Sequence, residues 1–189
     1  MTTIVTILTP GFADWETALL NAAAHSYYGI DTRYATPGGD PVTSSGGLRV
    51  MSDLSIEALD PAGFDALVIC GGTAWSSTDA PDLGELLRRT AAAGKTVAGI
   101  CDGTLALARS GLLDNVPHTS NSPDNLPPTG YAGAAHYRDQ PQAVLAGRIV
   151  TAAGTAPVSF MAAVMETLGH ADDDLKFYTG LYAAEHRAG

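Results

Sequence analysis

One cysteine lies where an apolar run gives way to a helical pattern. In the stretch VAGICDGTLA (residues 97–106), strand-forming residues stop at Ile100, and a helix is predicted from Gly103 onward. This arrangement resembles a nucleophile elbow, in which a sharp turn lifts a reactive side chain clear of the sheet. The helix start also places free N–H groups and partial positive charge beside Cys101. We therefore predict a reactive thiol with a lowered pKa, the alternative being a small buried core residue.

A carboxyl group is the first candidate partner for this thiol. Glu16 follows Asp14-Trp15 at the start of the first predicted helix, directly after the first apolar strand. Partial burial beside a thiolate would raise the pKa of Glu16, so that it could hold a proton, donate a hydrogen bond to sulfur or act as acid and base. The alternative is an acid favoured only by the helix dipole.

Backbone N–H groups could hold a developing oxyanion at the same place. Gly71 and Gly72 end a second apolar strand, just after Cys70, which we predict to be a core thiol. Together with the N–H of Asp102, these glycines are the candidate oxyanion donors. A glycine pair is also common in ordinary turns.

The remaining candidates carry weaker signals. His118 could complete a cysteine–histidine pair, but its spacing from Cys101 does not require it. Trp75, Asn121 and Tyr137 could line a pocket, although core packing explains the aromatic residues nearly as well. The sequence contains neither a zinc-type cluster, a P-loop nor a G-x-G-x-x-G motif, so we predict no metal and no cofactor.

Alternating strands and helices must position these residues. The predicted strands are 3–8, 31–36, 66–70, 96–100, 143–146 and 148–152, with a small hairpin within 42–51; the predicted helices are 16–28, 81–93, 103–110, 158–168 and 172–185. Three of the strands are apolar almost throughout, which is typical of a parallel sheet covered by helices on both faces. In such an α/β fold, ligands bind at the carboxyl ends of the strands. That rule brings residues 10–16, 71–75 and 101–104 together.

A long aperiodic segment separates the elbow helix from the last strands. Residues 114–140 hold four prolines and two glycines and lack any hydrophobic period. A connection of this length in a compact domain is usually functional or mobile, so we predict a flap over the site. The whole chain, residues 1–189, is predicted to form one domain.

Bulk composition excludes several classes of partner. The formal net charge is −10, and so negative a surface repels nucleic acid and anionic membranes. The N-terminus has no basic start and only a short apolar run, and the two cysteines do not make a disulfide framework. We expect a cytoplasmic protein that acts on a small molecule.

Taken together, these motifs resemble the ThiJ/PfpI superfamily, whose domain is similar to that of class I glutamine amidotransferases. The resemblance runs through Glu16, then ICGGT (69–73), AGICDG (98–103), LLD (112–114), HTSN (118–121) and TAAGTAP (151–157). It implies a flavodoxin-like parallel sheet between helices, a homodimer, Cys101 as nucleophile and Glu16 as its hydrogen-bonding partner. The sequence is also similar to the branch described as intracellular proteases and amidases.

The chain departs from that superfamily at two positions. The peptidase branch has histidine directly after the nucleophile, where this chain has Asp102. The branch related to the parkinsonism-associated protein has histidine at a position that falls on Asn121, with His118 three residues earlier. Without an imidazole to move protons, amide hydrolysis lacks its usual general acid, which disfavours a conventional protease.

Three functions remain open at this stage. The first is a hydrolase-, amidase- or glyoxalase-like enzyme that attacks a small carbonyl or amide substrate through Cys101 with Glu16. The second is a thiol-based sensor or protective protein in oxidative stress, which would oxidise Cys101 stably. The third is a chaperone or interaction module in which the elbow is a relic.

Overall fold

The computed structural model of the protein describes residues 1–184. The strands are β1 (Thr3–Ile7), β2 (Asp31–Thr36), β3 (Val42–Thr43), β4 (Arg49–Val50), β5 (Leu54–Ser55), β6 (Ala66–Ile69), β7 (Thr96–Ile100), β8 (Val144–Ala146) and β9 (Ile149–Ala152). The α-helices are α1 (Asp14–Tyr28), α2 (Gly84–Ala92), α3 (Gly103–Arg109), α4 (Pro157–Thr167) and α5 (Asp173–Ala183). The predicted end of the last helix, Glu185, lies outside the described residues.

Seven of these strands form one sheet in the order β5-β2-β1-β6-β7-β9-β8. Every neighbouring pair is parallel except β8 and β9, which are antiparallel. The strands β3 and β4 form a separate antiparallel hairpin. The predicted parallel α/β sheet is therefore confirmed, with one antiparallel strand at its edge.

Helices cover both faces of the sheet because the central strands are apolar on both sides. Ile4, Val68 and Ala98 pack with α1 and α4 in one buried cluster. Val5 and Leu67, one position along the same strands, pack with α2 and α3 in the other. Successive side chains of a strand point to opposite faces, so nearly continuous apolar runs fill two cores at once.

Two helices begin two or three residues away from the start that the sequence pattern indicates, and two others differ by one residue. The first starts at Asp14 rather than Glu16, and the Asp14 carboxylate accepts a hydrogen bond from Ser44 Oγ at 2.6 Å instead of capping its own helix. The second starts at Gly84 rather than Pro81, because Asp82 Oδ1 accepts the Gly84 N–H at 2.8 Å before the first turn. The short edge strand β5 was not predicted.

Residues 114–140 contain only three short 3-10 turns. The segment is pinned to the core by Leu126, which is fully buried, and to itself by a bridge between His118 and Tyr137. None of the helices in the described part of the chain combines the length and apolar character needed to cross a membrane.

Candidate active site

The carboxyl ends of three neighbouring strands bring the predicted site together. The sheet places β1 beside β6, and β6 beside β7. The loops after β1 and β6 are joined by a hydrogen bond from the Ala13 N–H to the Gly71 carbonyl and by a bridge between Phe12 and Gly72. The loop after β7 carries Cys101. The three predicted segments therefore meet at one edge, as the rule for parallel sheets requires.

Cys101 occupies a strained turn between β7 and α3. Its φ of 55° makes it the one non-glycine residue among residues 1–184 with a positive φ. Its N–H donates to the Ala152 carbonyl, and its carbonyl accepts from the Thr104 hydroxyl at 2.6 Å. A left-handed backbone costs an L-residue about 1 kcal/mol, so these contacts must hold the turn in place. The half-buried thiol is displayed as the elbow pattern predicts.

Glu16 projects from the first turn of α1 into the interior beside this thiol. Its side chain is 1% exposed, and its Oε2 accepts the Gly71 N–H at 2.9 Å. Its other oxygen, Oε1, has no hydrogen-bond partner of normal geometry and faces Cys101. Burial raises the pKa of Glu16 from 4.5 to about 7, against the lowering effect of its hydrogen bonds to Cys101 and Gly71. The predicted direction of this shift is confirmed.

Two glycines allow the carboxyl group and the thiol to meet. A Cβ atom at Gly154 would lie 2.8 Å from Glu16 Oε1 and 3.1 Å from Cys101 Sγ. A Cβ atom at Gly71 would collide with Glu16 Oε2 and with Cys101 Cβ. Any side chain at either position would therefore push the reacting groups apart.

The side-chain amide of Asn121 closes the site from the 114–140 segment. Its Nδ2 donates to Cys101 Sγ at 3.2 Å and to Asp102 Oδ1 at 3.0 Å, while its Oδ1 accepts the Gly154 N–H at 3.0 Å. Asn121 was predicted only to line a pocket, but its side chain donates a hydrogen bond directly to the reactive sulfur. The Asp102 carboxylate accepts its hydrogen bond from this amide, and the Asp102 N–H faces the sulfur.

The thiol pKa differs from the prediction. The pKa of Cys101 is raised to about 12, mainly by burial and also by the hydrogen bond and negative charge of Glu16, while hydrogen bonds from Asn121 and the Asp102 N–H act in the opposite direction. The prediction of a lowered value was wrong because it considered the helix start and not the depth of the thiol. Because the pKa of Glu16 is the lower of the two, the carboxyl group ionises before the thiol as the pH rises.

Four predicted site residues have other contacts than expected. The Gly71 N–H is committed to Glu16, so it does not serve as an oxyanion donor. His118 is fully buried, its Nδ1 is 2.8 Å from the Val116 carbonyl, and no hydrogen bond joins it to Cys101. Trp75 is a core residue whose Nε1 donates to the Cys70 carbonyl. Tyr137 packs edge-on against His118 and donates to the Ser120 carbonyl.

Gly154, Asn125 and Ser120 belong to the site but were not predicted. Asn125 Nδ2 donates to Asp102 Oδ1 at 3.3 Å and to Ser120 Oγ at 3.4 Å. The glycine within TAAGTAP, two residues after the end of β9, was the one available signal, since β9 is the next strand of the sheet after β7. Within residues 1–184, no group of three or more histidine, cysteine or acidic side chains lies close enough to hold a metal ion.

A family model decides how this constellation is classified. The model of the DJ-1/PfpI family matches residues 2–167, nearly the whole chain. The protein belongs to the DJ-1/PfpI family. The superfamily resemblance carried by Glu16, the glycine pair and the elbow cysteine is thereby confirmed.

Several individual proteins are similar to this one over most of its chain. The uncharacterized protease YoaZ of Bacillus subtilis is 32% identical over 165 residues, which cover 82% of this chain and 78% of that protein. The glutathione-independent glyoxalase DJR-1.2 of Caenorhabditis elegans is 28% identical over 143 residues, 74% of each chain. The crystal structure of the DJ-1 superfamily protein Atu0886 from Agrobacterium tumefaciens superposes with a TM-score of 0.94 at 49% identity, covering 99% of this chain and 100% of that one.

Proposed function

We propose that the protein is an enzyme in which Cys101 attacks the carbonyl carbon of a small carbonyl or amide substrate while Glu16 carries the proton. The observation that supports this most directly is the Glu16 carboxyl group, buried against the thiol with one oxygen otherwise unpartnered. A carboxyl group with a pKa of about 7 is matched to acid–base work near neutrality.

The proton balance of this step needs only the two side chains and the substrate. The ionised Glu16 carboxylate takes the thiol proton as the sulfur forms its bond to the carbonyl carbon, and the carbonyl π electrons move to oxygen. The N–H of Asp102, which faces the sulfur, and the N–H of Gly72 are the donors proposed for that oxyanion. Glu16 can then return its proton to the oxyanion, giving a neutral thiohemiacetal from an aldehyde.

An aldehyde or ketone is the first substrate class to test. Amide hydrolysis must protonate a departing amine, and no histidine within residues 1–184 hydrogen-bonds to Cys101. Addition to an aldehyde has no leaving group, so a single proton carrier suffices. Testing aldehydes first agrees with the relative that is named a glyoxalase. Because another relative is named a protease, amides are included in the substrate panel.

The test is a turnover panel of 2-oxoaldehydes, simple amides and short peptides with the wild-type protein and two variants. Cys101→Ser removes the thiolate, and Glu16→Gln keeps an acceptor for the Gly71 N–H while removing the exchangeable proton. We expect 2-oxoaldehyde turnover that both variants lose by at least about 100-fold. Turnover that persists in Cys101→Ser, or no turnover of any class, would refute the proposal.

A thiol sensor is the second candidate, favoured by the accessible, unpaired state of Cys101 beside a carboxyl group that can donate a hydrogen bond to an oxidised sulfur. Mild peroxide followed by intact-mass measurement checks it. A selective gain of two oxygens that disappears in Cys101→Ser would support the sensor function. Equal oxidation of the wild type and Cys101→Ser, or no oxidation of either, would exclude it.

We further propose a cytoplasmic homodimer. Two unpaired cysteines suit a reducing compartment. Trp15, Leu48 and Met51 are 56%, 56% and 76% exposed, and the segments that bear them are joined through the hydrogen bond between Ser44 and Asp14. Burial of these side chains against a second copy would remove apolar surface from water. Sedimentation of the wild type against Trp15→Ser measures this directly.

A further inference from the structure

The Asp102 carboxylate lies at the centre of hydrogen bonds that lead back to Cys101 by two routes. Its Oδ1 accepts one amide hydrogen from Asn121 at 3.0 Å and one from Asn125 at 3.3 Å. Both amides belong to the 114–140 segment, whereas Asp102 belongs to the elbow. A single carboxylate oxygen therefore ties this segment to the nucleophile turn.

The first route fixes which end of the Asn121 amide faces the thiol. An asparagine amide can exchange its oxygen and nitrogen by a half-turn at little steric cost, so its neighbours decide the orientation. Here the Gly154 N–H requires an oxygen on one side, and the Asp102 carboxylate requires an N–H on the other. The reversed orientation would set amide oxygen against carboxylate oxygen and N–H against N–H.

The second route passes behind the nucleophile turn. Asn125 also donates to Ser120 Oγ at 3.4 Å, the Ser120 and Thr104 hydroxyls are 2.7 Å apart, and Thr104 donates to the Cys101 carbonyl at 2.6 Å. Thr104 and Ser120 are both buried. The left-handed turn at Cys101 is thus connected to Asp102 through the partly buried Asn125 and the buried side chains of Ser120 and Thr104.

We infer that Asp102 is a positioning residue that holds the Asn121 amide with its N–H on Cys101 Sγ, so that the sulfur has a fixed neutral hydrogen-bond donor. This deepens the proposed function, on which it rests, because a neutral amide stabilises negative charge on sulfur without exchanging a proton. Proton transfer is then left to Glu16. A negative charge beside a thiol opposes its ionisation, so orientation is the benefit that Asp102 supplies.

Two substitutions separate the charge of Asp102 from its role as an acceptor. Asp102→Asn removes the charge but keeps an oxygen for both amides, whereas Asp102→Ala removes both. The probe is iodoacetamide, a neutral reagent, and intact mass measures the alkylation of Cys101 across a pH series. Cys101→Ser reports any background reaction at the buried Cys70, and thermal melting reports folding.

We expect Asp102→Ala to be alkylated about tenfold more slowly than Asp102→Asn at the same pH, with its ionisation midpoint shifted upward. Asn121→Ala should show the same loss, and the double variant Asp102→Ala/Asn121→Ala should be no slower than Asn121→Ala alone. The inference would be overturned if Asp102→Ala and Asp102→Asn had equal alkylation rates and equal ionisation midpoints. It would also be overturned if the double variant lost as much alkylation rate as the product of the losses in the two single variants. A purely structural role would lower the melting temperature and leave the midpoint unchanged.

Alkylation requires no substrate, so the two proposals fail separately. If the turnover panel shows no activity while the Asp102 variants differ as expected, the enzyme proposal falls and the positioning role stands. If turnover depends on Cys101 and Glu16 but the Asp102 variants alkylate identically, the positioning role falls.

Discussion

The Glu16 carboxyl group lies against the Cys101 thiol, and no other hydrogen-bond donor within residues 1–184 reaches its Oε1 atom. The two side chains are far apart in the sequence, one in the helix after β1 and the other in the turn after β7. They meet because β6 alone separates those strands in the sheet.

Turnover of the substrate found in the panel should rise with pH through the ionisation of Glu16. The reactive form needs the ionised carboxylate to accept the thiol proton, so kcat/KM should increase as the pH passes about 7. In Glu16→Gln the activity that remains should not show this rise of kcat/KM near pH 7. If the variant showed the same rise of kcat/KM near pH 7, the ionisation would belong to another group.

Glu16→Gln should stabilise the fold at alkaline pH. A carboxyl group whose pKa is raised from 4.5 to about 7 adds its full stability below 4.5, and that contribution is lost as the pH rises through 7. At about pH 8.5 we expect the variant to exceed the wild type by about 2 kcal/mol in unfolding free energy, with a much smaller difference at about pH 5. Urea denaturation at both pH values checks this, and a pH-independent difference would contradict it.

Gly154→Ala should separate the reacting pair. The added methyl group would lie within 3.1 Å of both Glu16 Oε1 and Cys101 Sγ, so the side chains must shift. We expect a loss of about 1–3 kcal/mol in unfolding free energy and a loss of turnover of about 100-fold. Gly63→Ala is the matched control, because nothing lies within 4 Å of its Cβ position. Equal behaviour of the two variants would argue against the close approach.

His118 should make the fold sensitive to acid. Burial lowers the pKa of His118 below 6.5, its Nε2 has no partner, and the nearby charges come from His136, Arg138 and Asp114. The unfolded chain takes up a proton that the folded chain resists, so stability is complete above 6.5 and declines as the pH falls. His118→Gln should show a smaller loss of unfolding free energy between about pH 7.5 and about pH 5. Parallel losses in both proteins would exclude His118 as the cause.

The sequence was most informative where a local signal coincided with a strand end. The elbow at Cys101 and the position of Glu16 could be predicted because Cys101 directly follows an apolar strand and Glu16 lies in the first turn of the helix after another, and parallel strands present the same end at one edge. The sheet itself followed from apolar runs separated by helices.

The contacts around the thiol could not be predicted in the same way. Asn125 and Ser120 reach the site through the aperiodic 114–140 segment, whose course depends on single hydrogen bonds and on the buried Leu126. The direction of the thiol pKa depends on how deeply the turn is buried, which is a property of the packed structure and not of the motif.

The left-handed backbone at Cys101 favours catalytic activity at the expense of conformational stability. Glycine adopts this conformation without steric strain. The substitution Cys101→Gly should therefore relieve the backbone strain at the turn, but it removes the nucleophile. A homologue with glycine at this turn would be free of the backbone strain but would lack the nucleophile. Survival on heating is therefore a poor guide to which homologues still carry out chemistry, and the residue at the turn is a better one.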